Sequence, residues 1–151
     1  MNIHALEKDL VSRIKLCDEF FTSIQLDKTY KLHYYTVFTK SEFEKKQFVE
    51  LLNSKFKLID SSNGIMFKAD GNSFLSKHVR FIRVRNPDDS STLIAGDVIK
   101  EDIDIVGKYL VRNNIDYSII KRLENTIIEI ESFNKQVAIY FPESHFLNKY
   151  Y

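Results

Sequence analysis

Residues that cross-link or break a fold are scarce in this 151-residue chain, which contains one cysteine, two prolines, four glycines and no tryptophan. The single cysteine, Cys17, cannot form a disulfide within the chain, and the N-terminus lacks the pattern of a secretion signal. Both observations favour a reducing, cytoplasmic environment. The shortage of glycine and proline excludes a low-complexity chain, and a hydrophobic content of 44% predicts a packed core.

An excess of one charge is also missing, because 22 lysines and arginines face 21 aspartates and glutamates for a net charge of +1. No global field therefore attracts nucleic acid or an anionic membrane. No run of residues approaches the ~18 consecutive apolar positions of a membrane-spanning helix. We expect neither nucleic acid nor a membrane as a partner.

The motifs that identify common enzyme classes are absent. The sequence has no G-x-S-x-G elbow, no phosphate-binding loop, no dinucleotide-binding glycine fingerprint, no H-E-x-x-H and no paired-cysteine metal spacing. Only four histidines are present, and they lie far apart: His4, His33, His78 and His145. Any metal site would have to be assembled by the fold.

What the sequence does contain is one pattern of elements repeated twice: a strand, a helix and three further strands. The first copy is predicted at 31–38, 41–55, 56–59, 64–68 and 78–85. The second is predicted at 92–99, 101–113, 117–120, 126–130 and 136–141. We therefore expect an α+β fold in which two tandem β-α-β-β-β modules form a cupped mixed sheet. The predicted single domain, 1–151, divides into an N-terminal helix and linker at 1–28, modules at 29–90 and 91–143, and a tail at 144–151.

Helices are expected to bury one apolar side each. In residues 3–24 the apolar positions recur at steps of three and four, which predicts an amphipathic helix whose stripe packs on the domain or mediates dimerisation. Cys17 lies in that stripe, where cysteine acts as a small hydrophobe. The two module helices are predicted to bury Phe43, Phe48, Leu51 and Leu52 in the first, and Ile103, Val106, Tyr109, Leu110 and Val111 in the second.

Arginine recurs on the predicted strand 78–85, with Arg80 on one side of the pleat and Arg83 and Arg85 on the other. Such guanidinium groups either extend to solvent at the sheet margin or bind a carboxylate or phosphate through paired hydrogen bonds. Both interpretations stay open from the residues alone.

The two modules resemble the vicinal oxygen chelate superfamily of glyoxalases, extradiol dioxygenases and bleomycin-resistance proteins. Within that superfamily, the added N-terminal helix, His33 in the first strand, and the run 79–87 leading to Gly96-Asp-Val98 are most similar to the bacterial YecM-like branch. The resemblance implies a half-barrel with metal ligands on the first and last strand of each module. At those positions this chain has His33, Arg83 or Arg85, Gly96 or Asp97, and Ala138 or Ile139, which implies a degenerate metal site.

A second resemblance concerns residues 67–72 and 81–85, which look like the turn and arginine strand of the triphosphate-tunnel family. That family opens with an E-x-E-x-K strand of metal-binding carboxylates. The corresponding strand here, 32–38, contains no acidic residue. A phosphate-binding tunnel is therefore the less favoured alternative.

These observations lead to one main hypothesis, a small anionic organic ligand bound in the sheet cavity without a complete metal site. The predicted ligand-binding residues are His33, Tyr35, Arg83, Arg85, Asp97 and Tyr140. In an enzymatic alternative, a lyase or dioxygenase, His33 and Asp97 bind a divalent metal. A third alternative is a non-enzymatic homodimer whose interface uses aromatic residues of the stripe Phe20-Phe21-Ile24 or of the tail 146–151.

Overall fold

The computed structural model describes residues 2–26, 30–69, 74–98, 102–123 and 125–143. It contains three helices and eight strands in these ranges. The helices are α1 (Ile3–Ser23), α2 (Glu42–Asn53) and α3 (Ile103–Arg112). The strands are β1 (Leu32–Val37), β2 (Lys57–Asp60), β3 (Ile65–Lys68), β4 (Phe81–Val84), β5 (Ile94–Val98), β6 (Ser118–Arg122), β7 (Asn125–Glu131) and β8 (Val137–Pro142).

The eight strands form one mixed sheet in the order β2-β3-β4-β1-β5-β8-β7-β6. Each module pairs its first and last strands in parallel, β1 with β4 and β5 with β8, and the modules meet where β1 and β5 pair antiparallel. The predicted fold class is therefore confirmed as α+β, with two tandem β-α-β-β-β modules and an N-terminal helix. An open sheet with two parallel pairs is not an antiparallel tunnel, so the triphosphate-tunnel alternative is wrong.

Local sequence explains where the helices begin. The side chains of Asn2, Ser41 and Asp102 accept hydrogen bonds from the backbone amides of Ala5, Glu44 and Asp104, which would otherwise lack partners in the first turn. The chain leaves α3 at Asn114, whose φ of 56° is left-handed, as expected for asparagine after a helix. No helix among the described residues is both long and apolar enough to cross a membrane.

All three helices pack on the same side of the sheet, here called the helix face; the opposite side is called the cup face. The main core lies on the helix face and contains Leu10 of α1, Phe48 of α2, Val106 of α3 and residues of both modules. Two smaller apolar clusters lie on the cup face, one around Tyr34 and one around Phe38. Strand β1 is buried on both sides, as its composition predicts.

Two residues predicted to be buried are exposed. Phe43 is 70% exposed and Val111 is 64% exposed. At roughly 100° per residue, Phe43 points about 140° around α2 from the buried Phe48, and Val111 points about 100° around α3 from Leu110. Hydrophobicity suggested burial for both residues, but their angular position on the helix puts them on the solvent side.

Candidate functional site

Strand register determines which predicted site residues share a face. Tyr34 pairs with Phe81 on β4 and with Asp97 on β5, and Asp97 pairs with Tyr140 on β8. Paired residues point to the same side of a sheet. Arg83 is two residues beyond Phe81, so it points to that side as well. Arg83, Arg85, Asp97 and Tyr140 therefore belong to the cup face.

Tyr35 and His33 lie on the helix face instead. Tyr35 pairs with Gly96, where an added Cβ would contact Cys17 of α1. The register of β1 shifts between Leu32 and Tyr34, which marks a bulge at His33. The bulge turns Leu32 to the same side as Tyr35, and His33 lines a cavity with residues of α1.

The structure therefore divides the six predicted ligand-binding residues into two groups, four on the cup face and two on the helix face. It does not bring the predicted metal ligands together, because His33 faces α1 and Asp97 faces the cup. Arg83, on the same face as Asp97, adds a positive charge that opposes cation binding. Within the described ranges no three His, Cys, Asp or Glu side chains are grouped as metal ligands. This donor set does not fit a divalent metal.

The two cup-face arginines lie over aromatic rings of β1 and the residue after it. The Cζ atom of Arg83 is 5.9 Å from the ring centroid of Tyr34, and that of Arg85 is 4.6 Å from the ring centroid of Phe38. Cation–π contacts of this kind orient the planar guanidinium groups. The side chain of Arg85 also pairs with Asp88 at 3.3 Å.

Arg83 extends from a buried to an exposed environment. Its Nη1 donates a hydrogen bond of 3.3 Å to the backbone oxygen of Asn63 at the surface. Its Nε is buried and has no hydrogen-bond partner among the described residues. A buried N–H without a partner costs free energy, and an anion beside it would supply the missing acceptor.

The β7 side of the cup face is acidic. Glu129 pairs with Tyr140, and burial followed by the charge of Glu131 raises the pKa of Glu129. Burial and the charge of Glu129 in turn raise the pKa of Tyr140, which therefore keeps its proton. The cup face thus has Arg83 on β4 and Arg85 just after it, and a carboxylate with a phenol on β7 and β8. The sequence alone does not single out Glu129, because alternation of charged residues does not show which face of an edge hairpin is enclosed.

A second polar group lies on the helix face and ties α1 to the sheet. The Tyr35 hydroxyl donates to Oδ1 of Asp18, and Nε2 of His78 lies 2.9 Å from both Asp18 Oδ2 and the Tyr35 hydroxyl oxygen. His33 Nδ1 lies 2.9 Å from the backbone oxygen of His78. Burial, followed by the hydrogen bond and charge of Asp18, raises the pKa of Tyr35, so the phenol stays protonated.

Sequence reasoning did not identify Asp18 and His78 as partners. They are 60 residues apart and meet because α1 packs beside the loop that leads into β4. The one sequence signal is that Asp18 follows Cys17 at the border of the apolar stripe, where a polar residue can still reach the sheet. Burial raises the pKa of Cys17 well above its usual value, which agrees with its predicted role as a small hydrophobe.

Of the residues predicted for a dimer interface, those of α1 are described by the structure and those of the tail are not. Ile24 is buried, and Phe20 and Phe21 are half-buried against the main core, so the stripe of α1 packs on the domain. Residues 146–151 lie outside the described ranges. A homodimer stays a prediction.

No protein-family model matches the chain, and no curated protein matches it. Among solved structures, the structural-genomics protein EC4020 has 12% identity and a TM-score of 0.54, with 97% of this chain and 84% of that chain covered. A glyoxalase/bleomycin resistance protein/dioxygenase superfamily member from Vibrio splendidus 12B01 has 7% identity and a TM-score of 0.47, with 75% and 97% covered.

A fosfomycin resistance protein from Listeria monocytogenes, solved with Mn(II) and 1S,2S-dihydroxypropylphosphonic acid, has 13% identity and a TM-score of 0.29, with 80% and 98% covered. At such identities the likeness concerns the fold alone. The similarity to EC4020 agrees with the observed topology, and the two looser likenesses support no inference about ligands or metals.

Proposed function

We propose that the cup face binds a small organic anion, with Arg83 and Arg85 holding the anionic group and no metal taking part. The observation that supports this most directly is the buried Arg83 Nε, which lacks an acceptor among the described residues. Its neighbour Arg85 presents a second guanidinium on the same face, oriented by the ring of Phe38. Two guanidinium groups on one face suit a carboxylate or phosphonate because each can donate paired hydrogen bonds.

The charged residues on the cup face limit which class of ligand can bind there. Arg85 is close enough to Glu129 and Tyr140 for its charge to lower the pKa of both, against the stronger effect of burial. A polyanion would be repelled by Glu129 and Asp97. A ligand with one anionic group and a hydroxyl or amino group at its other end would satisfy both sides. We therefore favour hydroxy- or amino-carboxylates over polyphosphates.

The test is a thermal-shift screen with a panel of hydroxy- and amino-carboxylates, and with inorganic triphosphate for comparison. A ligand that binds only the folded state raises the free energy of unfolding, and with it the melting temperature, as the ligand concentration increases. The stabilisation is about 2.7 kcal/mol at a ligand concentration of one hundred times Kd. We expect at least one carboxylate to do so and triphosphate to do less. Isothermal titration then measures Kd for the best compound.

Arg83→Gln should abolish the stabilisation, because it removes the charge and the buried donor together. Arg80→Gln is the matched control: it removes the same charge from an exposed residue of the same segment, and it should respond like the parent protein. The proposal fails if no carboxylate stabilises the protein, or if Arg83→Gln responds as strongly as Arg80→Gln.

Membership of the YecM-like branch and a metal-dependent activity remain predictions. The first is supported only by the loose sequence pattern and the added N-terminal helix. The second is opposed by the separation of His33 from Asp97 on the two faces of the sheet. Metal analysis of protein purified without chelator tests it, since stoichiometric metal that disappears in His33→Ala would restore the metal-dependent alternative.

A further inference from the structure

The helix face contains a cavity that the anion site does not use. It lies beside the C-terminal end of α1, has a volume of about 720 Å³, and is lined by Phe21, Leu26, Tyr30 and Leu32 together with His33 and His78. Its volume falls in the range of small-molecule sites, which combine apolar walls with a few oriented polar groups. Its polar lining residues are Asp18, Thr22, Gln25, Lys31, His33 and His78. The hydrogen bonds of the two histidines and Asp18 determine what these three can offer a ligand.

The protonated nitrogen of each histidine follows from its partner. The backbone oxygen of His78 can only accept, so Nδ1 of His33 carries the hydrogen in the 2.9 Å contact between them. Asp18 receives the Tyr35 hydroxyl on Oδ1, and its Oδ2 accepts from Nε2 of His78. In their neutral forms, His33 therefore keeps a lone pair on Nε2 and His78 keeps one on Nδ1.

In their neutral forms both histidines are thus held as acceptors. A backbone carbonyl orients one ring, and a carboxylate orients the other, which is the usual way a protein selects one tautomer of histidine. The rings of His78 and Tyr35 also pack in an edge-type contact, with centroids 6.0 Å apart. Neither remaining nitrogen has a partner among the described residues. Two preset acceptors beside an apolar, partly aromatic wall match a ligand that has a ring and a hydroxyl.

We propose that the cavity at the C-terminal end of α1 is a second binding site, separate from the anion site, for a small neutral aromatic alcohol or phenol whose O–H donates to Nε2 of His33. Aromatic rings of the ligand would pack on Phe21 and Tyr30. The two sites lie on opposite faces of the sheet, so each can be removed without altering the other.

Phenol is the test probe, and anisole is its matched control because it has the same ring and oxygen but no O–H. Binding is followed by NMR of the imidazole Cε1–H protons, which is practical because the chain has only four histidines. We expect phenol to shift the signals of His33 and His78 in a saturable manner while exposed His4 stays unchanged. Anisole should bind at least tenfold more weakly. Equal affinity for the two probes, or no shift at His33 and His78, overturns the proposal.

Two variants identify the site. His33→Phe keeps a ring but removes the acceptor, and should bring the affinity for phenol down to that for anisole. Thr22→Arg places a large side chain at an exposed α1 position that lines the cavity, and it should block binding of both probes. This variant still tests the site if circular dichroism shows that His33→Phe is unfolded. Arg83→Gln should bind phenol normally. Retained preference for phenol in folded His33→Phe, or unchanged binding in Thr22→Arg, contradicts the proposal.

Discussion

Arg13 connects three elements through one largely buried guanidinium group. Its Nη1 donates hydrogen bonds to the backbone oxygens of Phe38 and Leu93, at 2.9 and 3.1 Å, and its Cζ lies 5.1 Å from the ring centroid of Phe48. Its side chain is only 11% exposed. Hydrogen bonds from a charged donor are stronger than neutral ones, and both acceptors lie where β1 ends and β5 begins.

Replacing Arg13 by methionine should therefore lower the free energy of unfolding by about 3 kcal/mol, because the hydrogen bonds to the backbone oxygens of Phe38 and Leu93 and to Oδ1 of Asp9 are lost. The oxygen of Phe38 then keeps no partner among the described residues. Urea unfolding measures the change. Lys15→Met on the same helix is the control, since the Lys15–Glu19 pair is exposed and 3.9 Å apart; the expected loss is below about 1 kcal/mol. Similar losses in the two variants would contradict this role for Arg13.

Glu129 gives a pH-dependent prediction. Because its folded-state pKa is raised, its contribution to stability is complete at low pH and is lost as the pH rises through that pKa. At neutral pH the folded state therefore carries the cost of a partly buried charge. Glu129→Gln should raise the melting temperature at pH 7.5, and the gain should shrink towards pH 4, where the parent carboxyl becomes protonated.

Glu143→Gln, which removes the same charge from an exposed residue at the end of β8, is the control and should show a much smaller gain. The melting temperatures of the parent protein and of both variants, measured at pH 4 and pH 7.5, test this prediction. A gain for Glu129→Gln that is equal at pH 4 and pH 7.5 would mean that something other than the carboxylate charge is responsible.

At the scale of elements, the approach of α1 to the sheet depends on Gly96 in β5. A Cβ added there would lie 3.0 Å from Cys17 Sγ and 3.0 Å from Leu32 Cδ1. Contacts this short force neighbours to move in a close-packed core. The glycine is needed for helix–sheet packing, since its φ is not among the left-handed values of the chain.

Gly96→Ala should cost about 1–3 kcal/mol, the usual range for overpacking. Adding Cys17→Ala should recover part of that loss by removing Sγ, while Leu32 still hinders the new methyl group. Gly107→Ala in α3 is the control, because its added Cβ would meet Ile128 Cδ1 at 3.8 Å and alanine favours the helix by about 0.5–1 kcal/mol. A Gly96→Ala variant as stable as the parent would show that α1 can move away at no cost.

At the scale of the whole molecule, the two modules share one sheet whose faces differ in role. Antiparallel pairing of β1 with β5 joins the modules, and α1 contacts both of these strands and also β8 and α2. The helix therefore covers the junction between modules on one face and leaves the other face to form the cup. This arrangement separates the proposed anion site on the cup face from the proposed phenol site beside α1.

The sequence by itself was enough to determine the two-module fold. Hydrophobic periodicity identified the three helices and eight strands of the described residues, with ends displaced by up to three residues. A strand or helix that buries one side must repeat its apolar positions at a fixed interval. The alternation of side chains also predicted that Arg83 and Arg85 point to the same side of the sheet. These are local properties of the chain, and the structure agrees with them.

Only the tertiary structure decided which residues form a site together. Alternation in β1 placed His33 beside Tyr35, but it could not tell whether that side faced the cup or a helix. Packing of α1 decided this, because the helix covers the side that bears Tyr35 and brings Asp18 within hydrogen-bonding distance of His78, 60 residues later. Contacts between residues so far apart in the sequence depend on how helices and strands pack together. No periodic pattern within one element encodes that packing.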